Sequence, residues 1–600
     1  MTRRHLRFER LEQRLLLAGN VKVAVSRGNL TLTGDSLPAG NQIEIAYENN
    51  AYVVTGLKGT TVEGQPAKII TEVNKNITVD LKSGANEVEI RGDAEGGSPF
   101  LVLGGLTVRS GSGGAVIIIS DAEVRGNVSI TTGSGSDQVL VTGLTAPPVR
   151  NGRVSINTGY GNDSVGVVDS TIQRNLSIST GNGNDLVGLV RVDTSGSIAV
   201  NAGEGAEDLI GIAGVTSGNM TLDGGNAGRR SRPGDSTIGV TASVITGNLT
   251  IRTGIGDDTV AIGDHPDLGG QIEQVLEELG LDLEVPTGEV KVTNTLNIAT
   301  NNGDDEVWLQ NVKDVARLNV NTGNGDDEVW LENLTNVARL TVNTGNGDDR
   351  VGVVDSIFQG DINIATGSDN DQVGLFNVIA LHRTITVNTG NGNNGLDVIG
   401  LAGVEARNAV LNGGNTGTRG PWGASSIGVT KSTFTGDLTI RQGHAADWVV
   451  IGDHNELEDA FDELKDPFGN PIQVEMGTVS VNGTVRITTN SDGLTNQFGD
   501  GVLIGDLTAL VLRVDTGLGN DRVTIRSNVV VTQEFDLRLG GQNDTLRIEV
   551  APDVFLASLP AKRLIDGGAG TDTLQSNPVF PQPLDGTVFK GWERVVLLPV

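Results

Sequence analysis

Apolar and polar residues alternate along this chain in short bursts, and the bursts recur at a regular interval, with Thr300, Thr322, Thr344 and Thr366 opening successive copies. Around residue 320 the order is Leu318, Val320 and Thr322, then a Gly-Asn-Gly-Asp-Asp run, then Val329 and Leu331. One period later it is Leu340, Val342 and Thr344, the same run, then Val351 and Val353. A period of two marks a strand with one buried face. The Gly-Asn-Gly-Asp run between the strands is turn material, with glycine supplying positive φ. A βαβ crossover needs about 30 residues, so a 22-residue unit is too short for one. Nor does one unit bury its own apolar side, whereas coil stacked on coil does. The pattern therefore predicts an all-β fold, a parallel β-helix or β-solenoid of about 22-residue coils.

The motif inside each unit is Thr-Gly-x-Gly-x-Asp-x-Val. It starts at Thr132, Thr158, Thr180, Thr253, Thr322, Thr344 and Thr516, with weaker copies at Thr300, Thr366 and Thr389. In the copy at Thr389 asparagine (Asn394) replaces the aspartate, and the copies at Gly224 and Gly413 lack it. A longer repeat lies over the first. Asp264-His265 recurs as Asp453-His454, and Asp223-Gly224-Gly225-Asn226 recurs as Asn412-Gly413-Gly414-Asn415 at the same offset. Each half carries two insertions: a loop with basic residues (Arg229, Arg230 and Arg232 in the first) and a segment of helical pattern. The helices are expected near 271–280 and 456–465. The predicted organisation is a small β cap over 20–73, a first solenoid half over 74–290 and a second over 291–508. Terminal coils and a C-terminal cap fill 509–600.

Composition narrows the function classes. There are 85 Gly, 17 Pro and no Cys, and aromatic residues make up 3%. Without cysteine there are no disulfides or thiolate metal sites. With 43 Lys and Arg against 74 Asp and Glu the net charge is −31, which opposes nucleic-acid binding. The longest apolar run, Ala115 to Ile119, is too short to span a membrane.

The turn motif resembles the RTX (haemolysin-type) nonapeptide, Gly-Gly-x-Gly-x-Asp-x-hydrophobic-x, of calcium-binding β-rolls. Gly567-Gly568-Ala569-Gly570-Thr571-Asp572-Thr573-Leu574-Gln575 matches every fixed position, and the other copies put Thr at the first glycine. The resemblance implies bound Ca²⁺, with Asp137, Asp163, Asp185, Asp258, Asp305, Asp327, Asp349, Asp371, Asp521 and Asp572 as ligands. A physical argument stands beside it. Equivalent turns lie about 4.8 Å apart in adjacent coils. Two stacked carboxylates then repel by ~0.9 kcal/mol in water and ~3.5 kcal/mol at an effective dielectric of 20. Either the acids splay into solvent or a cation sits between them. Two features differ from the family: each coil has one motif where the family's shorter turn has two, and the series has the interruptions named above.

The first residues resemble a second family feature. Phe8 to Leu17, FERLEQRLLL, is similar to the LEPR-XLL segment of large exported bacterial surface proteins, with Gln13 where that family usually has proline. The resemblance implies that residues 1–19 are an export or sorting segment and that the chain is extracellular or on the cell surface.

Outward positions supply the remaining candidates. Trp308 and Trp330 share a site in adjacent coils, where other coils have Gly166, Gly188, Gly352 and Gly374. A glycine lane is a flat surface that an insertion or a partner approaches closely. His265 and His454 are general-base candidates, and Arg229, Arg230 and Arg232 suit an anionic sugar. No nucleophile motif, zinc spacing or phosphate loop accompanies them. The expectation is a non-catalytic, exported repeat protein with a structural, adhesive or matrix role, its partners an extracellular polysaccharide or other surface proteins. End-to-end self-association is a further expectation, because open solenoid edges invite pairing. The alternative reading is a polysaccharide lyase or hydrolase on a right-handed β-helix.

Overall fold

A computed structural model describes residues 19–92, 97–147, 152–225, 234–266, 268–390, 397–414, 425–443, 446–453, 457, 472, 474–491, 499–580 and 586–597. Its contacts divide the chain into two compact units. The first comprises Met1–Asn226, Ser236–Thr246 and Pro266–Thr287; the second comprises Ala227–Asp235, Gly247–His265 and Gly288–Val600.

In the second unit one coil is three short strands: Arg317–Asn324, Glu328–Glu332 and Thr335–Val337. The next coil repeats them as Leu340–Asn346, Arg350–Val354 and Ile357–Phe358. Pairing between coils is parallel and in register, Leu318 with Leu340 with Ile362, and Val329 with Val351 with Val373. The first unit stacks the same way, Val154 with Leu176 with Ile198. The fold is thus the all-β parallel solenoid that the repeat pattern predicts. Its core is the inward row: Leu318, Val320, Val329, Leu331, Leu334 and Val337 are each 0–1% exposed. Burying a Val or Leu side chain contributes about 1.5–3 kcal/mol, so each coil gains mainly from its neighbours.

The corner between the first two strands requires glycine. Gly323 and Gly325 have φ of +114° and +136°, and a Cβ on either would sit 1.6 and 1.9 Å from a carbonyl oxygen of the preceding coil. Coils pass closer at this corner than any side chain allows.

The N-terminal region expected as a small cap is joined to the stack. Its strands do fold back on themselves, Asn20–Ser26 antiparallel to Asn29–Thr33 and Gln42–Glu48 antiparallel to Ala51–Gly56. Yet Leu30 pairs in parallel with Ile77, and Gln42 with Glu87. These hairpins already contain the first rungs of the parallel stack. At the other end, Arg594–Leu597 pairs in parallel with Thr573–Ser576 and adds a further coil instead of a distinct cap. A short helix that the pattern did not announce, Pro552–Ser558, places Phe555 between Phe535 and Phe580, at 6.0 and 6.4 Å.

The first helical insertion forms Leu268–Glu278 and lies on the glycine lane of its own unit. A Cβ added to Gly239, Gly211, Gly188 or Gly166 would meet Leu268, Ile272, Val275 or Leu279 at 2.4, 2.8, 3.0 or 2.5 Å. One helical turn advances about 5.4 Å and one coil about 4.8 Å, so each turn delivers one apolar side chain to one glycine. Ile272 and Leu276 complete a buried cluster with Val168, Val190, Ala213 and Val285. Of the second insertion, expected near 456–465, only Leu457 is described. It is fully buried in the second unit with Phe376, Val398, Ala402, Val450 and Leu503.

Replacing Gly211 by Val forces Ile272 off its seat. The expected loss is about 1–3 kcal/mol, as for overpacked cores. Denaturant unfolding of Gly211→Val beside a change at an exposed site, Ala199→Val, measures it; equal stabilities would contradict the lane.

Candidate functional site

Each Gly/Asp turn carries two neighbouring polar residues that face opposite ways. The inner one is buried: Asp305, Asp327, Asp349 and Asp371 are 0–1% exposed. The outer one, Asp304, Asp326 or Asp348, is exposed. This split follows from strand alternation resuming at the inner aspartate.

The inner aspartates form a ladder. The backbone N–H of Asp305 donates to Oδ1 of Asp327 (3.0 Å), that of Asp327 to Asp349 (3.0 Å), that of Asp349 to Asp371 (3.1 Å), and that of Asp371 to Asp397 (3.1 Å). Asp258 begins this series by donating to Asp305 at 2.9 Å. A later series in the same unit runs from Asp447 to Asp500, Asp521, Asp544 and Asp572 at 2.8–3.0 Å. The Asp572 N–H passes it to Glu593 at 2.7 Å. The first unit has its own: Ala115 N–H to Asp137, then Asp163, Asp185 and Asp208, at 2.6–2.8 Å.

The outer row runs in the reverse sense. Asp326 N–H donates back to Asp304 Oδ1 (2.8 Å), and Asp348 N–H to Asp326 Oδ1 (2.8 Å). Asparagine serves equally here: Asn184 N–H to Asn162 Oδ1 (3.0 Å) and Thr571 N–H to Asn543 Oδ1 (2.8 Å). An acceptor is required at the outer site, and a charge is not. Where both rows are present, they brace the turn against the coil on each side.

All ten aspartates proposed from the sequence sit on the inner ladder. Five further members, Asp208, Asp397, Asp447, Asp500 and Asp544, were missed. Each keeps only the second half of the motif, Asp-x-apolar, as in Asp397-Val398-Ile399, because loops or drift have altered the Thr-Gly-x-Gly half. Thus the copy at Thr389 is not interrupted. Its rung is Asp397, displaced along the chain from Asn394. In the coils of Gly224 and Gly413 the rung passes to Ser236 and Ser425.

Burial acts on these carboxyls before any other influence. It pushes Asp137, Asp185 and Asp327 up to about 6, Asp208 and Asp349 up to about 7, and Asp305 and Asp371 up to about 8. A threonine of the same turn, such as Thr322 beside Asp327, holds the value down in part.

Calcium requires six to eight oxygen acceptors at about 2.3–2.6 Å. Along the ladder Oδ1 accepts an inter-coil N–H. At Oδ2 a donor stands on four rungs, the hydroxyls of Thr344, Thr366 and Thr389 and the N–H of Gly254, while on ten others, Asp327 among them, this oxygen has no hydrogen-bond partner. With one oxygen already accepting an N–H, each of the ten aspartates has at most one oxygen left for the calcium that the RTX resemblance implies. Among the described residues, no group of three or more His, Asp or Glu side chains is arranged to hold a metal ion.

Of the other candidates, the structure brings three together, Trp308, Trp330 and His265. Trp308 and Trp330 stack in register and are half-buried; the His265 ring rests edge-on against Trp308 at 4.3 Å, and Trp330 covers Gly352. Asp264 is exposed. Arg229, Arg230, Arg232 and His454 lie outside the described residues. No described helix is long and apolar enough to cross a membrane. Compared with known proteins, the chain matches no family model, no curated protein and no solved structure.

Two outcomes check this site. Asp327→Ala leaves the buried Asp305 N–H without an acceptor and is expected to cost about 1–3 kcal/mol. Asp326→Ala, at the exposed row, is expected to cost less than about 1 kcal/mol in the same unfolding experiment. The melting temperature is expected to be the same in chelator and in millimolar calcium. A rise of several degrees with calcium would restore the ligand set.

Proposed function

We propose that the chain is a non-catalytic, exported repeat protein whose stacked coils serve a structural, adhesive or matrix role at the cell surface. The observation that carries this reading is the use made of the acidic turns. The residues with the greatest chemical potential in the sequence are engaged in holding one coil to the next. A catalytic constellation needs a base, an orienting partner and a cleft. Here His265 packs on a tryptophan, and its neighbour Asp264 is exposed to solvent. The exposed outer acids, with the net charge of −31, suit a surface that stays hydrated and resists nonspecific association. Export rests on the similarity of residues 8–17 to the LEPR-XLL segment.

Cell fractionation of the producing bacterium tests the reading. The full chain is expected outside the cytoplasmic fraction, and deletion of residues 8–17 is expected to retain it inside. A full chain that stays in the cytoplasm contradicts the proposal. The lyase alternative is tested on anionic polysaccharides, where no unsaturated sugar product is expected; product formation abolished by His265→Ala would establish that alternative instead.

A further inference from the structure

Every inner rung has a side-chain polar atom facing its own turn, the second one on aspartate or asparagine and the only one on serine, and its behaviour depends on the residue that stands there. Where the rung is asparagine, Nδ2 donates. Asn86 Nδ2 reaches the Lys82 carbonyl and the Ser110 hydroxyl, both at 2.9 Å; Asn41 Nδ2 reaches the carbonyls of Asp35 (2.9 Å) and Leu81 (3.0 Å). Where the rung is serine, the hydroxyl donates: Ser236 to the Gly224 carbonyl (3.0 Å), and Ser425 to the Gly413 carbonyl (2.9 Å). A carbonyl oxygen only accepts, so the direction of these bonds is settled. The slot calls for a donor.

On the aspartate rungs the same slot holds Oδ2. In Asp137, Asp163, Asp185, Asp208, Asp305, Asp327, Asp447, Asp521, Asp544 and Asp572 this oxygen is buried with no hydrogen-bond partner. In Asp349 and Asp397 it lies 2.5 and 3.0 Å from the hydroxyls of Thr344 and Thr389. Those hydroxyls also face carbonyls of the next coil, Thr366 at 3.3 Å and Asn412 at 3.4 Å. A hydroxyl has one proton for two such contacts. If it goes to the carbonyl, the other contact is donated from the carboxyl side. The hydroxyls of Thr300 and Thr322 likewise face the carbonyls of Thr322 and Thr344, at 3.3 and 3.4 Å. Two rungs differ: Oδ2 of Asp258 accepts from the Gly254 N–H at 3.1 Å, and Oδ2 of Asp371 accepts from the Thr366 hydroxyl at 2.6 Å.

We propose that the inner aspartates whose Oδ2 has no donor against it stand in the folded protein as un-ionised carboxylic acids at mildly acidic pH, each O–H filling the donor slot, so that acid tightens the coil stack and alkali loosens it. Oδ1 keeps its inter-coil bond in either state; only the second oxygen changes role.

Among the described residues, the charges acting on these carboxyls are all negative. The charges acting on Asp305, Asp327, Asp349 and Asp371 come from one another and from Asp258, Asp304, Asp326 and Asp397. On Asp447 they come from Asp500 and Asp397, on Asp544 from Asp521 and Asp572, and on Asp572 from Glu593 and Asp566. In the first unit Asp163 acts on Asp137 and Asp185, and Asp185 on Asp208. Glu306, Glu328 and Arg350, the next residues in sequence, lie on the outward side of their strands.

Burial, followed by these like charges, raises the carboxyls above their ordinary value of 3.8. A group raised on folding binds its proton more tightly in the folded chain than in the unfolded one. Its stabilisation is complete below 3.8 and is lost as pH rises through the folded values, from about 6 at Asp327 to about 8 at Asp305. This is the reverse of ordinary acid denaturation.

The test is denaturant unfolding of the full chain at about pH 5 and about pH 8.5, which bracket the raised carboxyls. The midpoint is expected to be higher at the lower pH. The double variant Asp327→Asn/Asp349→Asn keeps the Oδ1 acceptor and places an Nδ2 donor in the slot, as Asn86 does. It is expected to narrow the difference between the two pH values. The control Asp326→Asn/Asp348→Asn removes two exposed charges and is expected to leave that difference in place. A midpoint that is equal at both pH values or higher in alkali overturns the proposal. So does an equal narrowing by both variants, which would assign the effect to surface charge alone. Should the inner variant fail to fold, the infrared carbonyl band of un-ionised carboxyls in the native protein at about pH 5 decides: its presence supports the proposal and its absence overturns it.

Discussion

The hydrogen bond from a backbone N–H of one coil to an aspartate Oδ1 of the next carries the stack past its weakest point. Along the strands, ladder bonds join coils automatically. At the Gly/Asp corner the backbone turns, and the N–H of the inner residue points toward the neighbouring coil at a place with no carbonyl opposite. A buried N–H left unpaired costs about as much as several favourable contacts return. Asp327 supplies the acceptor for Asp305, and Asp349 for Asp327, so the corner becomes as well paired as the sheet. The outer row repairs the adjacent residue in the opposite sense. Two neighbouring acceptor side chains are required because two successive N–H groups need acceptors on opposite sides.

The glycines answer to the same spacing. At the corner they let one coil's carbonyl lie where a side chain would be, as Gly303 O does under Gly325. On the outward face they clear a lane for the helix Leu268–Glu278, whose pitch nearly equals the rise between coils. That near-equality lets a single helix pack regularly across four strands. It also explains why the helix buries Leu268, Ile272, Val275 and Leu276, a spacing of about one apolar residue per turn on the buried stripe.

The arrangement divides the protein's large negative charge into two populations. Exposed acids such as Asp326 are interchangeable with asparagine and keep the surface hydrated. Inner acids such as Asp327 sit among apolar rows where a formal charge is costly, and their asparagine and serine counterparts at Asn86, Ser236 and Ser425 show what the slot accepts. The chain's formal charge of −31 therefore counts groups that the fold treats as hydrogen-bonding elements. Reading acidity from composition alone assigns to the surface what belongs to the core.

The length of the repeat, the strand alternation and the glycine corner were legible in the sequence, because they depend only on local geometry and on the need of each unit to bury one side. The residues at risk of electrostatic conflict were legible too, and so was a lane open to an insertion. Which way the acids faced was not. Asp326 and Asp327 are adjacent and identical in type, and only the register of the strand that follows them turns one outward and one inward. Nor does the sequence show that Asp397 and Asp447 stand in line with Asp371 and Asp500, because loops of differing length separate rungs that parallel pairing brings to one row. Local pattern determined the unit; the distance between coils, which exists only once they are stacked, decided what its polar residues do.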